Sequence, residues 1–280
     1  MKIPSRFALL AALPLLAGAA VHAATVSYNT GSLGPAANGT NADLVTFVAG
    51  AVTAGGDQAT SYNGLSGTNT VIPFQSGLNP SSVSPFSIEF WANPTNSDND
   101  DAPVTNRVTS GNRSGWAFFQ RVAATGWNFR MYDGVGSNLG WDLTGGTSPL
   151  NAWSHVVARW DGSVAQLFVN GALADTSNSP GSSGAYNAST GASFIVASSD
   201  TGSPYTGALD EVAFYGSALS PAQILNHFNI VSSATPGAYH STILGDGARL
   251  QLTNDPIPEP PSLMFLGLGG LALLRRRARY

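Results

Sequence analysis

Apolar and polar side chains alternate with a period of two along most of this chain. In the run Phe86-Ser87-Ile88-Glu89-Phe90-Trp91, Phe86, Ile88 and Phe90 share one face, the pattern of a strand with one face in a core. Similar short runs recur at 116–122, 128–132, 139–143, 154–160, 164–169, 193–197 and 208–215. Asp133-Gly134, Asp161-Gly162 and Asn170-Gly171 each follow such a run. These pairs tolerate the positive φ that a type I′ hairpin turn needs at both central residues, so each predicts a hairpin. One helix is signalled. Ser220 is its N-cap, Pro221 its first residue and Gln223 its third, with Ile224, Leu225 and Phe228 as an apolar stripe. Residues 25–56 are rich in Gly, Ala and Asn and read as an edge strand and a long loop. Beyond residue 230 the chain reads as a linker, 231–256, with room for one more strand within 242–252. Many short strands separated by turns predict an all-β sandwich of two antiparallel sheets, with one short helix near the C-terminal end of the domain.

The two ends follow different patterns. Lys2 and Arg6 precede an apolar stretch at 7–20 and then Val21-His22-Ala23-Ala24. A basic start, an apolar middle and small residues at the end describe a secretory signal peptide over 1–23, cleaved after Ala23. At the other end, Pro258-Glu259-Pro260 is followed by an apolar run at 263–274 and by Arg275, Arg276 and Arg277. The run is short against the roughly 20 residues of a full span, and the three arginines hold the tail on the cytoplasmic side. Residues 257–280 therefore read as a short transmembrane segment that anchors only transiently. The arrangement resembles the PEP-CTERM sorting signal of Gram-negative bacteria. That resemblance implies processing by an exosortase near Pro258-Glu259-Pro260. It also implies transient anchoring in the inner membrane, and delivery to the cell surface or extracellular matrix of a bacterium that makes exopolysaccharide.

Composition narrows the function. Six of the 12 basic residues lie in the two ends and fifteen of the 16 acids lie between them, so the part between carries a net charge near −9 and no lysine. Such a surface repels phosphate backbones and excludes nucleic acid as a partner. There is no cysteine, which removes thiol catalysis and sulfur-ligated metal sites. The length between the ends suits one all-β domain without disulfides.

Several motifs occur in a telling order. The first is Trp153-Ser154-His155-Val156-Val157-Ala158-Arg159-Trp160-Asp161-Gly162, followed by Leu167-Phe168-Val169-Asn170-Gly171. Then come Gly207-Ala208-Leu209-Asp210-Glu211-Val212-Ala213-Phe214-Tyr215 and Ala218-Leu219-Ser220. Together with the early segments 59–64 and 86–94 they resemble the laminin G-like, concanavalin A-like family. That implies a jelly-roll over 24–230. It also implies a structural calcium near Asp210, with the Tyr62-Asn63-Gly64 turn supplying a further oxygen from Asn63. Adjacent on a strand, Asp210 and Glu211 are expected to point to opposite faces.

Catalysis has little support in the residues. Glu89 and Glu211 are the only glutamates between the sorting signals, and the paired-carboxylate strand motif of concanavalin-like glucanases is absent, with Ala at 208. His155 has no nucleophile or orienting acid in its sequence context. Trp127, Arg130, Tyr132 and Trp141 form a candidate platform for stacking a sugar ring and binding its hydroxyls. The expectation is a non-catalytic exported surface or matrix protein that binds extracellular polysaccharide or a surface protein. A polysaccharide-active glycoside hydrolase on the same fold and a purely structural surface protein are the alternatives.

Overall fold

The computed structural model describes residues 26–53, 56–97, 100–122, 126–137, 139–177 and 186–254. The predicted cleavage site at Ala23 and the sorting residues Pro258, Glu259, Pro260, Arg275, Arg276 and Arg277 lie outside the described residues. Among the described residues no helix is long and apolar enough to cross a membrane.

The chain opens with β1 (Val26–Asn29), β2 (Gly39–Asn41), β3 (Thr46–Ala49), β4 (Gln58–Asn63) and β5 (Thr70–Ile72). The long β6 (Phe86–Pro94) is followed by β7 (Val104–Val108), β8 (Ser114–Gln120), β9 (Trp127–Tyr132) and β10 (Leu139–Gly145). Next come β11 (Ser154–Trp160), β12 (Ala165–Val169), β13 (Ala172–Ser177), β14 (Phe194–Val196) and β15 (Thr206–Tyr215). Two helices, α1 (Pro221–Ile230) and α2 (Pro236–Gly245), precede β16 (Ala248–Thr253). The pairings are antiparallel throughout.

One sheet runs β10-β9-β8-β7-β14-β5-β2-β1 and the other β16-β15-β6-β11-β12-β13, with the β3–β4 hairpin added alongside β15. Pairing of β1 with β16 joins the two along one side. The result is the all-β jelly-roll sandwich that the alternation predicts. Between the sheets Phe86, Phe90, Trp116, Phe118, Trp127, Phe129 and Phe214 are buried together. Phe90 meets Phe118 edge-on at 5.0 Å, a favoured aromatic geometry.

The turns behave unequally. Asn170 and Gly171 both take positive φ, 52° and 75°, and link β12 to β13 as a two-residue turn. After β11 the loop instead spans 161–164, because Trp160 pairs with Ala165. There the Asp161 carboxylate accepts from the Ser163 and Val164 amides, so Asp161 acts by side-chain capping rather than by adopting positive φ.

The helix expected after Ser220 is α1, and its capping box forms in both directions. The stretch read as a linker with room for one more strand is corrected in one respect: it holds a helix as well as that strand. Residues 236–245 form α2, capped by Thr235 with Pro236 in its first turn. Residues 248–253 form β16, which hydrogen-bonds to both β15 and β1. The sandwich therefore extends well beyond residue 230. Both helices lie on the outer face of the second sheet, where Ile224, Tyr239 and Ile243 pack on Trp91, Val157, Phe168 and Tyr215.

Candidate functional site

The outer face of the second sheet concentrates the chemistry. Along β6 the inward residues are Phe86, Ile88, Phe90 and Ala92, so Ser87, Glu89, Trp91 and Asn93 point outward. On β11, His155 stands opposite Trp91 and Val157 opposite Glu89. The Trp91 ring lies 4.9 Å from the His155 ring and 5.9 Å from that of Phe228. Its Nε1 donates to the Tyr239 hydroxyl at 2.9 Å. The two helices thus seal a layer of polar and aromatic side chains against the sheet.

His227 of α1 is fully buried in this layer between two carboxylates. Its Nδ1 lies 2.9 Å from Glu89 Oε2 and its Nε2 2.7 Å from Asp246 Oδ2. Both ring nitrogens face acceptors, the arrangement that an imidazolium satisfies. Burial works against the charge on His227, but Glu89 first and Asp246 second outweigh it and hold the imidazole at about 9. Burial likewise pushes the Glu89 carboxyl up, and the charges and hydrogen bonds of His227 and His155 overcome it and bring it down to about 2.

A second acidic group gathers where β15 is irregular. Asp210 pairs with Trp91 and Ala213 with Glu89, so two residues, Glu211 and Val212, oppose the single Phe90. Glu211 has φ 50°, and the break is a β-bulge. Val212 enters the core, while the Glu211 carboxylate joins Asp210 on the outer face. The expectation that the two acids point apart is thereby corrected: strict alternation fails at the extra residue. Asp57, from the turn after β3, completes the group. Its Oδ2 accepts from the Val52 amide at 2.9 Å, and Asp210 Oδ2 accepts from the Ala51 amide at 2.7 Å. His240 of α2 reaches Glu211 Oε1 at 2.7 Å. Ligand atoms of Asp57, Glu211 and His240 all lie within 4.8 Å of one another. Burial raises the Asp210 carboxyl well above its usual range, and Glu211 and Asp57 add to it. Burial raises Glu211 too, with His240 pulling back, to about 7.

Asn63 is not part of this group. It pairs with Thr206, four positions from Asp210 on β15, which is roughly 13 Å along a strand. Its Oδ1 accepts from the Leu65 amide and the Thr68 hydroxyl at 3.0 and 2.9 Å. The expected calcium pair of Asp210 and Asn63 is therefore not brought together, because the turn after β4 closes on itself. The acids that do meet Asp210 come with an imidazole, and calcium instead collects six to eight oxygens.

Where the helices stop covering β6, a hollow of about 210 Å³ opens beside Asn93. Ser61, Thr95 and Asn151 line it together with Val48 and Ala208, and no charged side chain lies among its described lining residues. Asn93 Oδ1 is enclosed and has no hydrogen-bond partner among the described residues. Gly207, at φ 142°, lets β15 run close to β6 here, since a Cβ would stand 2.3 Å from the Asn93 carbonyl oxygen.

The candidate stacking platform is split by the sandwich. Trp127 and Trp141 are buried between the sheets, Trp141 lying 4.9 Å from Trp160. Arg130 and Tyr132 project from the opposite face of β9. There Arg130 lies over Phe119 and 3.6 Å from Asp142, and the Tyr132 hydroxyl accepts from Arg107. The four share no surface for a sugar, because positions 127 and 129 face the core and alternation sends 130 and 132 outward. The residues missed by sequence reasoning, Asp57, Asn93, His227 and His240, come together only through tertiary packing. Of these, His227 carried the best local signal, one turn along the capped helix from Gln223.

The sequence profile described as the concanavalin A-like lectin/glucanases superfamily, of laminin G type, matches residues 66–225. The chain belongs to this superfamily. Among solved structures, this superfamily member is similar to the botulinum neurotoxin serotype G binding domain, with 16% identity and a TM-score of 0.56. That match covers 75% of this chain and 51% of that one. It is also similar to the binding domain of Paraclostridial Mosquitocidal Protein 1, with 18% identity, a TM-score of 0.56 and coverage of 73% and 52%. The binding domain of botulinum neurotoxin DC in complex with SialylT matches at 12% identity and a TM-score of 0.51, covering 74% and 52%. The chain spans about half the length of each of these structures, and the likeness is one of fold. No curated protein sequence gives a significant match.

Proposed function

We propose that this superfamily member is a non-catalytic glycan-binding protein that seats a neutral sugar in the hollow beside Asn93. The observation that carries the reading is the hollow beside β6 lined by Asn93, Asn151, Ser61 and Thr95 with no charged side chain among its described lining residues. The amide and hydroxyl groups of these residues offer both donors and acceptors, the complement of sugar hydroxyls. The volume, about 210 Å³, is that of roughly seven waters at ~30 Å³ each, a fit for a single residue or chain end rather than a long groove. The superfamily's description names lectins, which agrees with a sugar as ligand.

The same reading sets hydrolysis aside. Glu89 and Glu211 are both buried under the helices and engaged by His227 and His240, so neither faces the hollow, whereas glycosidases set two carboxylates across a cleft. The ends of the chain complete the proposal. Cleavage after Ala23 and exosortase processing at Pro258-Glu259-Pro260 would place the protein at the surface or in the matrix of a Gram-negative bacterium, after transient anchoring. Intact termini found by mass spectrometry on protein from the native host would remove that part.

The test is a glycan array followed by titration calorimetry on the full chain. Binding of a neutral glycan that weakens at least tenfold in Asn93→Ala and Asn151→Ala is expected. Binding unaltered by both variants would dismiss the hollow. An array with no bound glycan would leave the structural surface role instead.

A further inference from the structure

We propose that Asp57, Asp210, Glu211 and His240 form a binding site for a first-row transition dication such as zinc, fastening α2 and the turn before β4 to the bulge in β15. The four side chains arrive from three separate parts of the chain. Asp57 comes from the turn between β3 and β4, Asp210 and Glu211 from β15, and His240 from α2. Asp57, Glu211 and His240 already present ligand atoms within 4.8 Å of one another, near enough for one ion to bridge.

Charge balance argues for the cation. Three buried carboxylates stand against one imidazole, and the described part of the chain contains no lysine. Its six arginines are all engaged elsewhere. Arg107 pairs with Asp200, Arg121 with Asp100, Arg130 with Asp142 and Arg159 with Asp161. Arg249 donates to the Gly77 carbonyl, and Arg113 lies over the Tyr132 ring. Burying carboxylates without compensation is expensive. A dication bound among them supplies the missing positive charge.

The donor set selects the ion. Calcium and magnesium take oxygen ligands and leave imidazole aside. A histidine nitrogen beside carboxylates is the mixed set that zinc and its neighbours accept. Gly50 makes the approach possible, since a Cβ there would stand 2.0 Å from Asp57 Oδ2 and 2.7 Å from Asp210 Oδ2. The site is separate from the glycan hollow and does not rest on that reading.

The full chain, stripped with a chelator, is titrated with zinc, manganese and calcium by calorimetry, and cobalt(II) is added as a spectroscopic probe. One equivalent of zinc is expected to bind, with a visible cobalt band and a raised melting temperature. His240→Gln is expected to weaken zinc at least tenfold and abolish the band. It leaves a side chain that can still hydrogen-bond, so folding is checked by tryptophan fluorescence. Glu211→Gln is the second variant and should act alike. No zinc uptake by the folded chain, or uptake indifferent to His240→Gln and Glu211→Gln, overturns the site. So does a calcium preference that survives His240→Gln, since that would be an oxygen-only site.

Discussion

Replacing His227 by Ala removes the imidazole held between the buried Glu89 and the half-buried Asp246, and its cost should depend on pH in a calculable way. In the fold His227 is held at about 9 against an ordinary value of 6.5. A shift of that size corresponds to about 3 kcal/mol at ~1.4 kcal/mol per unit. The folded value is raised, so this stability is fully present below 6.5 and is lost as the pH rises through about 9. Glu89 describes the same pair from the other side. Its folded value is lowered to about 2, so its share is present above its ordinary 4.5 and is lost as the pH falls through 2. The pair therefore contributes fully between about pH 4.5 and 6.5. His227→Ala strips Glu89 of its main partner, while Glu89 Oε1 already lacks one. Breaking a buried pair from one side costs roughly 3–5 kcal/mol. At pH 6 the variant should lose that amount. At pH 9.5 the ionic part has already gone from the parent, so the loss should shrink by about 3 kcal/mol to what the missing ring volume costs. Urea unfolding of parent and variant at both pH values, followed by tryptophan fluorescence, measures the difference. Trp91 sits in the same layer and reports on it directly. Groups that titrate alike in both proteins cancel in the comparison. Equal losses at the two pH values would refute the argument that an imidazolium–carboxylate pair holds α1 down.

Trp127→Ala should cost roughly 3–5 kcal/mol in chemical unfolding, because a fully buried indole leaves a cavity between the sheets. Glycan affinity of the fraction that remains folded should be unchanged, and a selective loss of binding would restore the stacking role to this residue. Ser220→Ala should cost about 1 kcal/mol by removing the cap on the Gln223 amide. Ser220→Gly should cost less, and a reversed order in urea midpoints would contradict the capping account.

Much of the fold was legible because period-two alternation reports directly on a two-layer core. Phe86, Ile88 and Phe90 enter it as their spacing predicts, and the Ser220-Pro221 start of α1 is local chemistry that needs no tertiary information. Thr235-Pro236 is the same signal at α2, yet the Ser, Thr and Gly around it also describe a linker, and only packing of Tyr239 and Ile243 decides for the helix. The bulge at Glu211 has no sequence mark. Asp210-Glu211-Val212 reads as ordinary alternation, and the extra residue appears only in the register against β6. Trp127 and Trp141 misled for a related reason. Aromatic residues beside Gly-rich turns suggest exposure, but their parity along β9 and β10 assigns them to the core.

The outer face of β6 shows why the site escaped a linear reading. Glu89, Trp91 and Asn93 stand in one row with the same orientation, yet each acquires a different role from what lies above it. His227 on α1 makes Glu89 half of an ion pair, Tyr239 on α2 gives Trp91 its acceptor, and the end of helical cover leaves Asn93 beside an open hollow. The bulge does the same on the neighbouring strand, turning two adjacent acids to one side. The row itself is written by period two, and the chemistry is written by two short helices and one inserted residue. A protein of this superfamily can therefore keep its strand pattern and lose the ion pair or the acid–imidazole cluster through changes confined to residues 221–246 or to the position of one bulge.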